Sequence, residues 1–183
     1  MKKILSFLLL AVITVGANAQ KDSTNEVWFK IQKEGCFATE DGNDYIIYHQ
    51  EGKTAKELYD MVCVNANRIY NMPQKVISTV DGKSVSIRGF SDDCMCFKSL
   101  GTKTCYDVFY NLLFEFKDGK IKILSPVISS VNHGKTSFRN VVKHYYDYKG
   151  KMTKSGKQRK EHTENYFDQL IAEIIGKSQK NDW

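Results

Sequence analysis

The chain has 183 residues, is 42% hydrophobic and 26% charged, and carries a formal charge of +6. That length excludes several independent domains and is enough to build one with a real core. The modest positive charge speaks mainly to solubility and points only weakly to anionic partners.

Residues 1–19 read as an export leader rather than as part of the fold. Lys2 and Lys3 form a positive start, residues 4–15 an apolar run, and Ala17-Asn18-Ala19 a small-x-small cleavage site. An uncleaved anchor is the other reading, but the run falls short of the roughly 20 residues a bilayer-spanning helix needs. Position 20 is Gln and the first cysteine is Cys36, so the pattern of a lipid-modified export signal is absent. The expectation is cleavage after Ala19 and an exported product, periplasmic or secreted and not a lipoprotein. Removing nineteen residues from 183 leaves 164, and losing Lys2 and Lys3 lowers the charge to +4.

Residues 20–44 form an N-terminal arm: a polar start at 20–26, a weak strand at 27–31 and a turn at 40–44. A short strand follows at 45–48. The strongest signal then runs from Gly52 to Leu124 and reads as one helix and two hairpins. Thr54-Ala55-Lys56-Glu57 is a capping box. Leu58, Met61, Val62 and Ile69 recur at the helical period, and Tyr59, Cys63, Ala66 and Tyr70 make a second stripe beside them. Asn71 and Pro73 end the helix. Strands at 76–80 and 85–90 flank Asp81-Gly82-Lys83, and strands at 105–116 and 120–128 flank Lys117-Asp118-Gly119. Asp-Gly between such runs predicts type I′ hairpins, which need positive φ at both central residues. In the longest strand Tyr106, Val108, Tyr110, Leu112, Phe114 and Phe116 all fall on one face, which is core. Asp107, Phe109, Asn111, Leu113 and Glu115 make a mixed opposite face, open to solvent or a partner.

Five cysteines in an exported chain read first as disulfides, and an odd number leaves at least one unpaired within the chain. Cys94, Cys96 and Cys105 bracket the loop between the hairpins, so either Cys94–Cys105 or Cys96–Cys105 would close it. Cys36–Cys63 would tie the arm to the helix. The other reading of the Cys94-x-Cys96 pair is a metal or redox site. Zinc favours Cys-x-x-Cys with a second ligand pair, and no His lies near these cysteines in sequence.

Beyond residue 128 the pattern loosens into a basic insertion at about 129–162: a polar stretch, a short strand or helical turn at 141–148, and a loop at 149–160. The last element is a helix of about a dozen residues carrying Tyr166, Phe167, Leu170, Ile171, Ile174 and Ile175. Thr163 is its cap and Gly176 its left-handed end; residues 177–183 are a polar tail. The expected fold is α+β, in the order β-α-β-β-β-β-α. It is a two-layer sandwich with a mostly antiparallel curved sheet covered on one face by two helices, forming a single domain over 45–176.

The segments Gly52-Lys53-Thr54 with Glu57-Leu58-Tyr59, Val85-Ser86-Ile87-Arg88-Gly89, and Phe114-Glu115-Phe116-Lys117-Asp118-Gly119-Lys120 carry a resemblance. Over residues 45–124 the chain resembles domain-of-unknown-function family 4468, exported bacterial proteins with a TATA-binding-protein-like fold. The cysteine-rich loop and the basic insertion depart from that pattern. The resemblance implies a fold and an exported location. It implies no activity and no DNA binding, because function resides in sites and not in folds.

Arg88, Phe90, Phe109 and Leu113 fall on the strand face opposite the helices. They form an exposed apolar patch, a candidate binding face for a protein or small ligand, unless the arm or the insertion covers them. Lys149, Lys151, Lys154, Lys157, Arg159 and Lys160 have no acidic residue among them. They are either a solvated loop or a contact to an anionic envelope surface such as lipopolysaccharide or phospholipid. Tyr145, Tyr146 and Tyr148 beside them would stack on bases, but an exported location argues against nucleic acid, and packing on the sheet rim suits them better. Gly134-Lys135-Thr136 lacks the upstream glycine of a phosphate loop, since position 129 is Ser. His49, His133, His144 and His162 are scattered without i, i+4 spacing, and no Gly-x-Ser-x-Gly elbow is present. No cofactor, metal or catalytic residue is assigned. The reading is a binding domain before an enzyme, with an envelope adaptor or a small hydrolase or thiol enzyme as alternatives.

Overall fold

The computed structural model describes residues 28–177. The leader at 1–19, the polar start at 20–26 and positions 178–183 of the tail lie outside them. No helix among the described residues is long and apolar enough to cross a membrane.

Helix α1 (Ala55–Ile69) starts as its sequence dictates. The Thr54 hydroxyl accepts from the Glu57 N–H, and the Glu57 carboxylate accepts from the Thr54 N–H at 2.7 Å. Leu58, Tyr59, Val62 and Ala66 are buried, with Met61, Cys63, Ile69 and Tyr70 packed at their margins. A one-turn helix α2 (Pro73–Val76) follows, using Pro73 where its missing N–H costs nothing.

The sheet is built on two strands of 16 residues each, β5 (Ser84–Ser99) and β6 (Thr102–Lys117). Strands β3 (Tyr45–His49), β7 (Lys120–Leu124), β6, β5 and β4 (Ile77–Val80) lie side by side in that order, every pair antiparallel. On β6 the predicted core face is observed, with Val108, Tyr110, Leu112, Phe114 and Phe116 buried. Helix α1 and helix α3 (Lys154–Ile174) cover that face, α3 over β5 and α1 over β5, β6 and β7. This is the expected two-layer α+β arrangement.

The structure corrects five details. The cysteine-rich segment is not a loop between hairpins but the far end of the β5–β6 hairpin, which turns at Leu100-Gly101 between paired Ser99 and Thr102. Asp92-Asp93 hid it by interrupting the β pattern with a bulge. The strand expected at 120–128 is two strands. Pro126, lacking an N–H, breaks the ladder, and β8 (Val127–His133) then pairs with the near half of β6 while β7 pairs with the far half. The supposed insertion therefore begins as a hairpin, β8 with β9 (Thr136–Phe138), turning at Gly134-Lys135. The loop at 149–160 ends at Thr153, which caps α3 by accepting from the Gly156 N–H; Thr163 is buried inside that helix, its hydroxyl donating to the Arg159 carbonyl. Finally, neither Asp-Gly turn is type I′: Gly82 and Gly119 take positive φ, Asp81 and Asp118 do not. The Asp118 carboxylate instead accepts from the Ala55 N–H at 2.8 Å, fastening the turn to the start of α1.

The arm is a separate ribbon of β1 (Lys30–Ile31) and β2 (Phe37–Ala38), of which only the first strand was expected. Helix α3 holds it by side chains. Glu164 accepts from the Ile31 N–H at 2.6 Å, Lys160 donates to the Ile31 carbonyl, and Asp168 accepts from the Trp28 N–H at 3.1 Å. Phe37 sets its ring against Phe167, with centroids 5.2 Å apart.

Burial pushes the Asp168 carboxyl up to about 6, partly opposed by the Trp28 and Phe29 N–H groups. A carboxyl with a higher pKa folded than unfolded holds its proton more tightly in the native state. Its contribution is therefore full below about pH 4 and is lost as pH rises through about 6. Asp168→Asn, which keeps an acceptor without the charge, should gain on the wild type by about 1 kcal/mol between pH 4.5 and 7.5, allowing for solvent screening. Urea unfolding at the two pH values measures this; a constant gap between the proteins would refute it.

Candidate functional site

Residues paired across an antiparallel ladder point to the same face. The pairs Phe90–Phe109, Arg88–Asn111 and Ser86–Leu113 therefore line up on the side of the sheet away from the helices. The Phe90 and Phe109 rings meet with centroids 4.7 Å apart and remain 44% and 41% exposed. Arg88 is exposed beside them, and Leu113 is half-buried two residues beyond Asn111. The four predicted residues thus share one surface, with the aromatic pair in contact. The arm, which would have covered them, packs against α3 instead. At the other end of the face Lys122 pairs with Glu115 at 3.4 Å and lies over the half-exposed Tyr45 ring.

Sequence reasoning missed the other wall of this site. Phe109, Ser129, Ser130, Ser137 and Arg139 line a shallow basin of about 640 Å³. Ser130 faces Phe109 across β6 and β8, and the Ser129 hydroxyl donates to the Phe109 carbonyl at 3.1 Å. Their polar character concealed them inside the supposed insertion. The available signal was faint: Ile128 and Val131 both face the core, opposite Tyr110 and Val108, but a bulge between them breaks the period-two alternation that would have announced a strand. Arg139 also lines a second groove, about 570 Å³, between the arm at Cys36 and Phe37 and the bend at Pro126. The face offers aromatic surface, hydroxyls and a cation, which suits adhesion to a partially apolar ligand.

The basic residues do not form one patch. Lys149 and Lys151 lie in the loop before α3, and Lys154 and Lys157 stand exposed on its first turns. Lys160 pairs with Glu164 at 2.8 Å. Arg159 turns inward, its guanidinium over the rings of Phe97 and Tyr106 and donating to the His144 carbonyl at 2.6 Å. Tyr145 is fully buried, Tyr146 half-buried and Tyr148 exposed.

The cysteines fall into place differently from the expectation in one respect. Cys96 and Cys105 are bonded, with Cα atoms 4.1 Å apart, as one of the two alternatives held. Cys36 and Cys63 are not bonded; they sit on the arm and on the flank of α1, and Cys94 is the third free thiol. The Asp93 carboxylate and the sulfurs of Cys96 and Cys105 lie within 4.8 Å of one another, but the sulfurs are joined and offer no thiolate to a metal. Burial pushes the Cys94 and Cys63 thiols up, opposite to an activated nucleophile. His162 meets Cys94 through its backbone carbonyl, with Nδ1 at 3.0 Å. His144 packs between Tyr106 and Phe138, and burial, reinforced by the Arg159 charge, lowers it to about 4, so it stays neutral at ordinary pH.

No family profile matches the sequence, and no curated protein matches it. Two solved structures are similar. A TBP-like protein from Parabacteroides distasonis ATCC 8503 is 11% identical with a TM-score of 0.59, covering 85% of this chain and 99% of its own. A DUF4468 family protein from Bacteroides ovatus ATCC 8483 is 12% identical with a TM-score of 0.58, covering 76% and 87%. At that identity the likeness establishes the fold, which is TBP-like, as the sequence resemblance implied.

Proposed function

We propose that this chain is an exported, non-enzymatic binding domain that takes a protein or small ligand on the open face of its sheet. The observation that carries this is the contacting, half-exposed Phe90–Phe109 pair, set between Arg88 and the basin of Ser129, Ser130, Ser137 and Arg139. Contiguous apolar surface rimmed by polar groups commonly marks an interaction site. The leader-like start and the Cys96–Cys105 bond support export. The same reading places the chain among the exported proteins of family 4468, supported by the fold and by the three segments quoted above.

Phe109→Asp tests the face. Native mass spectrometry of the protein isolated from its own host without reductant should show a bound mass on the wild type that the variant lacks. The variant's unfolding free energy should change by less than about 1 kcal/mol, as expected for a surface substitution. A bound mass that survives the substitution refutes the site. Global unfolding of the variant shows Phe109 to be core and refutes it equally.

A further inference from the structure

The long hairpin holds two registers. From Ser84–Glu115 to Ser91–Val108 the strands pair in one; from Met95–Tyr106 to Ser99–Thr102 they pair in another, displaced by two residues. Asp92, Asp93 and Cys94 take up the difference opposite Asp107. The displacement sets Cys96 directly opposite Cys105, and these two are the disulfide. Carried past Ser91 without the bulge, the first register would pair Asp92 with Asp107, Asp93 with Tyr106 and Cys94 with Cys105. Each register thus offers Cys105 a cysteine and leaves the other one free.

We propose that Cys105 exchanges its disulfide partner between Cys96 and Cys94 as the distal hairpin slips by two residues.

Backbone geometry supports this independently of the cysteines. Among the described residues only Asp93 (φ 55°) and Leu100 (φ 48°) are non-glycine residues at positive φ. Both are products of the present register, Asp93 in the bulge and Leu100 in the two-residue turn. Leucine is poorly suited to that conformation. Slipping absorbs the bulge and widens the turn to the four residues 98–101, with Phe97 opposite Thr102, which releases both positions. Arg159 supplies a further reason. Its Nε is buried without a hydrogen-bond partner, and its guanidinium lies 5.3 Å from the Tyr106 ring. Slipping brings the Asp93 carboxylate opposite Tyr106, beside that cation. Against the slip stands Met95, fully buried opposite Tyr106, which would move toward the tip while Asp92 came to face Asp107. These losses keep the present register dominant.

The chemistry is thiol–disulfide exchange. The Cys94 thiol gives up its proton and its sulfur attacks the Cys105 Sγ. The Cys96–Cys105 bond breaks, and its electron pair leaves on the Cys96 Sγ, which takes up a proton. One disulfide and one thiol are present before and after, so no outside oxidant is consumed. While Cys94 is sealed in the core its burial keeps it protonated, and exchange waits for the distal hairpin to open. The result moves the free thiol from the core to Cys96, opposite the exposed Lys103 near the tip.

Cyanogen bromide cleaves after Met95 and so separates Cys94 from Cys96, which makes the two bridges distinguishable by mass. Cys96→Ser, purified without reductant and blocked with N-ethylmaleimide, should carry Cys94–Cys105 and keep its circular dichroism. Cys105 found free in that variant, or bridged to Cys36 or Cys63, overturns the proposal. Should Cys96→Ser fail to fold, the wild type decides. In dilute urea with catalytic reduced glutathione it should accumulate Cys94–Cys105. Leu100→Gly, which relieves the present turn, should lower that fraction severalfold. A wild type that retains Cys96–Cys105 alone throughout overturns it.

Discussion

Gly156→Ala is expected to destabilise the protein by about 3 kcal/mol, against the usual benefit of alanine in a helix. Gly156 lies in the first turn of α3, and a Cβ there would stand 1.9 Å from the Tyr145 carbonyl oxygen and 2.7 Å from the Thr153 hydroxyl. Neither neighbour can give way locally. The Tyr145 carbonyl accepts from the Thr153 N–H at 3.2 Å, and the Thr153 hydroxyl caps the helix through the Gly156 N–H at 2.8 Å. Tyr145 itself is fully buried. Alanine contributes about 1 kcal/mol of helix propensity over glycine. Forcing a backbone oxygen out of a packed contact outweighs that, since overpacking typically costs about 1–3 kcal/mol and here also removes a cap worth about 1. Urea unfolding reads the result. A variant more stable than wild type would mean that the helix start does not rest on Tyr145.

Gly89→Ala should cost a similar amount, about 3 kcal/mol, for a side-chain rather than a backbone reason. Gly89 faces Tyr110 across the β5–β6 ladder, and the tyrosine ring lies over it, its Cζ 2.2 Å from where a Cβ would be. The ring is held in place. Its hydroxyl meets that of Tyr70 at 2.9 Å and that of Tyr166 at 3.5 Å, and its edge meets Phe167 at a centroid distance of 5.2 Å. Burial of this cluster pushes the Tyr70 phenol up to about 12, so the hydroxyls stay neutral and joined at ordinary pH. A methyl group at position 89 must displace the ring and with it the shared contacts. Tyr110→Ala removes the obstacle, so the double variant should be more stable than the sum of the two single losses implies. A double-mutant cycle measures that coupling, and strict additivity would refute the steric account.

What could be read from the sequence was what local chemistry decides alone. The capping box at Thr54 and Glu57 and the twin stripes behind it place α1 to within a residue. Six alternating apolar positions place β6 and name its buried face, and from that face follows the exposure of Phe90 and Phe109. The first half of α3 could not be read that way. Its inward positions are Gly156, Arg159, Lys160, Thr163 and Glu164, small or polar residues: Lys160 and Glu164 reach Ile31 far off in the chain, Arg159 the His144 carbonyl, and Thr163 the Arg159 carbonyl one turn back. Hydrophobic periodicity is silent where burial is satisfied by hydrogen bonds. A different reason hid β8 and β9: serines line their open outer face, and the bulge beside Ser129 breaks the alternation. It also explains why Arg139 and Ser137 were absent from the expected site. The two-register hairpin was concealed by Asp92 and Asp93, adjacent carboxylates that interrupt the β pattern where the register shifts.

The capture of the arm by α3 has a consequence for how the molecule is made. Ile31 is held by Glu164 and Lys160, and Trp28 by Asp168, partners about 130–140 positions further along the chain. On a growing polypeptide those partners do not yet exist when the arm emerges. The β5–β6 hairpin, whose pairings are local, can zip early, and α1 has the strands it covers soon after. The arm must wait for the final helix, so Phe29, Ile31 and Phe37 remain apolar and unshielded until synthesis is nearly complete. A chain lacking the residues from 160 onward would leave the arm without partners, a loose, adhesive N-terminal segment of the kind a chaperone would be expected to grip.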